Sequence, residues 1–139
     1  MWGWSGVALD AWDQRLGEAM EYQDQGLLRV VGIFSHLSVA YEPERPETDD
    51  QLAAFREVLA VAEDAGVDPE VRHLANTPAT LSRPDTHFDM VRVGLGLYGL
   101  SPFEGQTSAA LGLRPAMTPR TRVPQCKQAP AGPGGAGAW

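Results

Sequence analysis

Three short apolar segments separated by helical patterns restrict the architecture of this chain. Residues 28–34, 71–75 and 90–95 are rich in aliphatic side chains, and the first and third predict strands buried on both faces. Between the first two, Thr48 and Gln51 fit a capping box that begins a helix ending near Gly66. A short helix near Thr77 precedes the third segment. This alternation of strands and helices predicts an α/β fold with a parallel sheet.

The flanking regions differ from this pattern. Apolar side chains recur at helical spacing between Leu9 and Met20, so residues 10–25 predict a helix that Gly26 ends. Beyond Pro102 the helical periodicity stops, and residues 117–123 alternate like a strand that Pro119 would restrict to a sheet edge. Residues 130–139 are mostly Gly, Ala and Pro, which predicts a disordered tail.

Composition excludes several classes of protein. The 139 residues carry a formal charge of -7, opposite to what nucleic-acid binding requires, so we expect no nucleic-acid partner. The sequence has no apolar run near the roughly 20 residues of a membrane span and no signal-peptide pattern, which predicts no membrane partner and a cytoplasmic location. Cys126 is the only cysteine, so neither an internal disulfide nor a zinc site is expected.

A candidate anion site lies where the second apolar segment ends. Thr77 is a good N-cap residue and Pro78 suits the first helical position. A helix N-terminus offers unpaired N–H groups to an anion, although Thr77 alone is more simply interpreted as a structural cap. The glycines of Gly94-Leu95-Gly96 would let a ligand approach the backbone after the third segment.

Arg92 is a charged side chain inside an otherwise apolar segment. Burying an unpaired guanidinium is unfavourable, so Arg92 requires a ligand or another partner. The same argument does not apply to His36, which follows the first segment and is as compatible with a structural role as with a functional one.

These residues belong to motifs that resemble those of alanine racemases. His73-x-Ala-Asn-Thr-x-Ala is followed by Arg92-x-Gly-x-x-Leu-Tyr-Gly, with Gly-Ile-Phe-Ser-His-Leu before them and Leu-Arg-Pro-Ala-Met after them. The resemblance implies the C-terminal part of a (β/α)8 TIM-type barrel of the pyridoxal phosphate (PLP) fold type III class. It also implies domain limits, with a partial barrel at residues 1–103 and the start of a β-rich C-terminal domain at 104–139.

The resemblance also implies an activity and a site. A family member interconverts L-alanine and D-alanine with PLP for cell-wall synthesis, and is expected to be a cytoplasmic homodimer. Thr77 and the backbone of Gly94 and Leu95 would hold the cofactor phosphate. The pyridine nitrogen would face Arg92, which His36 would hydrogen-bond. Two further residues, His73 and Asn76, would line the same wall.

Departures from the family pattern suggest that the chain is an internal or truncated fragment without catalytic residues. The family's PLP lysine belongs to a segment expected before Met1, whereas Lys127, the only lysine, lies in a different motif. The family's catalytic tyrosine motif would begin at Pro130 and is not completed. Trp4 and Tyr41 replace an expected arginine and aspartate. Alternatives are therefore a non-catalytic remnant with only the phosphate-binding wall, a racemase of another small amino acid such as serine, or a fold type III decarboxylase.

Overall fold

Helices and strands alternate along the chain in the structure, a computed structural model that describes residues 6–126. The helices are α1 (Trp12–Asp24), α2 (Glu47–Asp64) and the short α3 (Thr77–Ser82), and the strands are β1 (Gly32–Phe34) and β2 (Val71–His73). Single 3-10 turns lie at Leu9–Ala11, Pro84–Thr86, Leu95–Tyr98 and Ala109–Leu111. The α/β alternation predicted from the sequence is therefore present.

Both long helices end as predicted, but the start of α2 differs. Gly26 and Gly66 follow α1 and α2 in the left-handed region, with φ of 72° and 80°, which glycine adopts without strain. The predicted capping box at Thr48 is wrong, because α2 begins at Glu47 and Pro46 is its N-cap. The side chain of Gln51 instead accepts hydrogen bonds from the backbone N–H and hydroxyl of Ser38.

The sheet is parallel, as predicted, but shorter. β1 pairs with β2 in the register Gly32 with Val71 and Phe34 with His73. Residues 28–31 form no strand in the structure, because they lead from α1 to the sheet. The expectation that this segment is buried on both faces is also wrong, since Ile33 is buried whereas Phe34 is 64% exposed. One face of the sheet therefore packs on the core and the other is open.

The third predicted strand, residues 90–95, is not a regular strand. Its chain runs beside β2 in the parallel direction, where the N–H of Asp89 bonds to the carbonyl of Arg72 and the N–H of Arg92 to that of Ala75. The two donors, and likewise the two acceptors, are three residues apart along the chain. In a regular parallel ladder the hydrogen bonds repeat every two residues. The segment then turns into the 3-10 helix at Leu95–Tyr98. The parallel order of the three segments is retained without a third strand.

The core lies between the helices and the covered face of the sheet. Phe55 of α2 is fully buried and meets Phe88 edge to face at a ring distance of 5.1 Å. Leu74 and Ala75, directly after β2, are also fully buried, which places the carboxyl end of that strand in the core. None of the helices among residues 6–126 is long and apolar enough to cross a membrane.

Residues 104–126 pack on the preceding segment but form no strand in the part of the chain described. The N–H of Ala116 bonds to the carbonyl of Tyr98. The predicted edge strand at 117–123 is not formed, which is consistent with the hydrogen-bond donor that Pro119 removes from any ladder. The expectations for Trp4, Lys127 and residues 130–139 concern positions outside the described residues.

Candidate functional site

Arg92 connects the carboxyl ends of both strands. One terminal nitrogen of its guanidinium lies 2.7 Å from Nδ1 of His73 and 3.2 Å from the carbonyl oxygen of the same residue. The other lies 2.8 Å from the carbonyl of Ser35, 3.3 Å from that of Leu74 and 3.2 Å from Nδ1 of His36. The guanidinium thus has the partners that its position in an apolar segment requires.

The two histidines are acceptors in this arrangement. Arginine can only donate hydrogen bonds, so Nδ1 of both His36 and His73 must be unprotonated and Nε2 carries the proton in each neutral ring. Partial burial lowers the pKa of both imidazoles, and the positive charge of Arg92 lowers each pKa further. Partial burial also lowers the pKa of Arg92, but a guanidinium stays protonated at neutral pH. The cluster therefore carries one positive charge, on Arg92.

Phe34 supports this cluster from β1. Its ring stacks on that of its register partner His73, with centroids 4.9 Å apart and planes 2° from parallel. The guanidinium carbon of Arg92 lies 5.6 Å from the Phe34 ring centre, within the range of a cation–π contact. Phe34 was not among the residues selected from the sequence, although its place two residues before His36 on a predicted strand could have indicated the same face.

The helix that follows β2 begins with Asn76 and not with Thr77 as its N-cap. The side-chain oxygen of Asn76 accepts a hydrogen bond from the N–H of Ala79, and its nitrogen donates to the carbonyl of Leu37. Thr77 is the first helical residue and Pro78 the second. The prediction that Thr77 caps the helix is wrong because the adjacent Asn76 is at least as good a cap. Asn76 consequently uses both ends of its amide to hold the fold.

The hydroxyl of Thr77 faces the glycine loop that follows Arg92. The N–H of Gly94 donates to Thr77 Oγ1 at 3.0 Å, and the N–H of Gly96 donates to the same oxygen at 3.4 Å. Thr77 is buried, whereas Gly94 and Leu95 are exposed. Thr77 and Gly94 therefore come together as the sequence predicted. Gly96 was not selected from the sequence, although the Gly-Leu-Gly spacing contained the signal.

The candidate site is an open wall at the carboxyl ends of β1 and β2. Arg92 reaches the carbonyls of Ser35 and Leu74, and Thr77 follows β2 by four residues. Two surface hollows, of about 570 and 370 Å³, lie near the amino end of β2, around Val67 and Asp68, and so apart from this wall. The wall combines the guanidinium of Arg92 with backbone N–H groups of Gly94 and Gly96 that point at the Thr77 hydroxyl. Among residues 6–126, no group of His, Cys, Asp or Glu side chains is arranged to hold a metal ion.

Comparison with known proteins places these features in one family. Residues 3–102 match the family described as "Alanine racemase, N-terminal domain". The curated alanine racemase of Salinispora tropica is 51% identical over 129 residues, which are 93% of this chain and 34% of that protein. The alanine racemase of Streptomyces coelicolor is 49% identical over 124 residues, 88% of this chain and 32% of that protein.

A solved structure agrees with these matches. The crystal structure of alanine racemase from Streptomyces lavendulae superposes with a TM-score of 0.79 at 52% identity, over 82% of this chain and 30% of that one. The chain thus spans about a third of the length of the relatives it matches. Its strands and helices correspond to part of a PLP fold type III barrel domain, and the chain belongs to the alanine racemase family.

Proposed function

We propose that this chain contributes the phosphate and pyridine wall of a PLP-dependent alanine racemase that interconverts L-alanine and D-alanine. The observation that carries the proposal is that the Arg92 guanidinium and the hydrogen bond between Gly94 and Thr77 both lie beyond the carboxyl ends of adjacent parallel strands. Ligands of α/β barrels bind at this end of the strands. D-alanine supply for the cell wall, a cytoplasmic location and a homodimer follow from the same family membership and belong to the proposal.

The donors on this wall fit both ends of PLP. Thr77 offers a hydroxyl and Leu95 a backbone N–H, which are donors of the kind that bind phosphate in proteins. The N–H of Gly94 donates to Thr77 Oγ1, so we assign Thr77 and Leu95 to the phosphate as donors and Gly94 to the same loop as the residue that orients the Thr77 hydroxyl. His73 and Asn76 hold the wall from behind through their bonds to Arg92, Ala79 and Leu37.

Arg92 would face the pyridine nitrogen. Its two terminal nitrogens already contact protein acceptors, which leaves Nε–H as the donor for the ring. PLP, when bound, supplies an electron sink that acidifies the α-hydrogen of an amino acid. Arg92 holds its own proton too firmly to transfer it, so it would donate a hydrogen bond to the ring nitrogen without protonating it. Bound in this way, the cofactor would supply a weaker electron sink, which would favour simple proton exchange over other reactions of the amino acid.

Proton transfer to and from the α-carbon needs groups that the wall does not offer. Lys127 is the sole lysine of the sequence and lies outside the described residues, while His36 and His73 are acceptors for Arg92. We therefore assign binding and orientation to the wall that the described residues 6–126 form. The second candidate is a non-catalytic remnant that keeps this wall alone.

The domain limits remain part of the proposal. A boundary near residue 103 is supported by the end of the family match at residue 102. We assign residues 104–139 to the start of a β-rich domain on the strength of the resemblance.

A chimera tests whether the wall is functional. Residues 3–102 would replace the matching segment of the Salinispora tropica alanine racemase, and D-alanine formation from L-alanine would be measured with PLP. The account predicts racemisation by the chimera, and its loss when Thr77→Val and Arg92→Met are added. A folded chimera that forms no D-alanine would contradict the racemase assignment and favour the non-catalytic remnant.

A further inference from the structure

We propose that Gly96 is a positioning residue for the cofactor phosphate, because its N–H and its missing side chain together fix the direction of the Thr77 hydroxyl. The inference rests on the proposed function, in which Thr77 binds the phosphate, and adds a residue that makes no contact with the cofactor in that assignment. Gly96 acts on the phosphate only through Thr77.

The first observation is the hydrogen bonding of the Thr77 hydroxyl. Its oxygen accepts from the N–H of Gly94 at 3.0 Å and from the N–H of Gly96 at 3.4 Å. A hydroxyl oxygen has two acceptor positions and one proton to donate. Since both acceptor positions face the glycine loop, the O–H proton is directed away from the loop. A hydroxyl held in this way is a preorganised donor for an anion.

The second observation is the space at Gly96. A Cβ built on Gly96 would lie 3.0 Å from Cγ2 of Thr77 and 3.0 Å from Cγ1 of Val93, closer than carbon atoms normally pack. A Cβ on Gly94 would meet nothing within 4 Å. Gly96 is not in the left-handed region, so its backbone accepts alanine and the close contacts are the obstacle. The methyl group of Thr77 therefore occupies space that exists only because residue 96 has no side chain.

Thr77 and Gly96 are consequently a matched pair. Serine at position 77 would keep the hydroxyl but lack Cγ2, which removes one of the two close contacts to a side chain at position 96. Alanine at position 96 should thus be harmful when residue 77 is threonine and less harmful when it is serine. A residue that only shaped the backbone turn would be equally sensitive in both backgrounds.

The test is a double-mutant cycle on the purified chain. Dissociation constants for pyridoxine 5'-phosphate and for pyridoxine would be measured by ligand-detected NMR, because neither compound has the aldehyde that reacts with Lys127. The proteins are the unmodified chain, Gly96→Ala, Thr77→Ser and the double variant. Gly17→Ala is the matched control, since a Cβ there meets nothing within 4 Å and lies on α1.

We expect Gly96→Ala to weaken pyridoxine 5'-phosphate binding on the order of tenfold, the effect of misdirecting one hydrogen bond to a charged group. Binding of pyridoxine should not change. Gly17→Ala should bind like the unmodified chain. The loss of affinity caused by Gly96→Ala should be at least threefold smaller when it is measured relative to Thr77→Ser than when it is measured relative to the unmodified chain. If Gly96→Ala does not fold, the same measurement is made on Val93→Ala/Gly96→Ala. This double variant removes the close contact of the new Cβ with Val93 and keeps its contact with Thr77.

Three results would overturn the inference, and they do so in two distinguishable ways. Equal binding by Gly96→Ala and the unmodified chain, or an equal loss with threonine and serine at position 77, would show that Gly96 does not position Thr77. No preference of the unmodified chain for pyridoxine 5'-phosphate over pyridoxine would instead refute the phosphate site itself, and the inference with it.

Discussion

Replacing Arg92 by methionine should destabilise the fold before any ligand is considered. The four terminal N–H groups of its guanidinium share five acceptors, the carbonyls of Ser35, His73 and Leu74 and the imidazoles of His36 and His73. At about 0.5 to 1.5 kcal/mol net for each of the four N–H groups, the sum is roughly 2 to 6 kcal/mol. Because the site is open, water can replace some of these hydrogen bonds in the variant. We therefore expect the free energy of unfolding to fall by about 2 to 4 kcal/mol. That is a large fraction of the stability of an ordinary domain, about 5 to 15 kcal/mol.

The assay is thermal unfolding followed by far-UV circular dichroism, where the loss corresponds to a drop in Tm of about 10 °C for a domain of this size. Arg29→Met is the matched control, because Arg29 forms an exposed ion pair with Glu70 and such pairs contribute little. Arg92→Lys should lie between the two, since lysine keeps the charge but lacks the planar fork. A Tm for Arg92→Met equal to that of Arg29→Met would refute the claim that Arg92 joins the strand ends.

Three further outcomes are expected from the core and the titratable groups. Phe55→Ala should cost about 3 to 5 kcal/mol in urea denaturation, because Phe55 is fully buried and packs on Phe88; a loss below 1 kcal/mol would contradict this core. Thr48→Val should stabilise the chain by about 1 kcal/mol, since the buried Thr48 hydroxyl has no hydrogen-bond partner, and destabilisation would show that the hydroxyl is satisfied. The folded state lowers the pKa of His36 and His73 below the ordinary 6.5, so the unfolded chain binds more protons below that pH and stability should fall as pH drops from 7.5 to 5.5; a His36→Gln/His73→Gln variant with an unchanged pH slope would refute this origin.

Local sequence signals predicted which helices and strands form better than they predicted where each begins and ends. The ends of α1 and α2 were predictable because Gly26 and Gly66 supply the left-handed turns that few other residues adopt. The predicted N-cap was wrong by two residues for α2 and by one for α3, since nearby residues such as Asn76 and Thr77 compete for the cap. Residues 90–95 run parallel to β2 as predicted, but they do not form the regular hydrogen-bond ladder of a strand. That ladder depends on long-range pairing, which a local pattern does not encode.

The sequence predicted most of the residues of the candidate site, but not the hydrogen bonds that they form. The position of Arg92 in an apolar segment indicated that it needed a partner, and the family resemblance named His36. That its other partners are the carbonyls of Ser35, His73 and Leu74 follows from the packing of distant segments. The roles of Phe34 and Gly96 also depend on contacts across the sheet and the loop.

The most direct test of the central claim is a map of backbone amide shifts in the ¹⁵N-labelled chain during titration with pyridoxine 5'-phosphate and, separately, with pyridoxine. The account predicts that the phosphate ester selectively shifts the amides of Thr77, Gly94 and Leu95, and that Thr77→Val abolishes these shifts while leaving the fold intact. Shifts that are the same for both compounds, or that cluster around Val67 and Asp68 at the opposite strand end, would contradict the assignment of this wall to the cofactor phosphate.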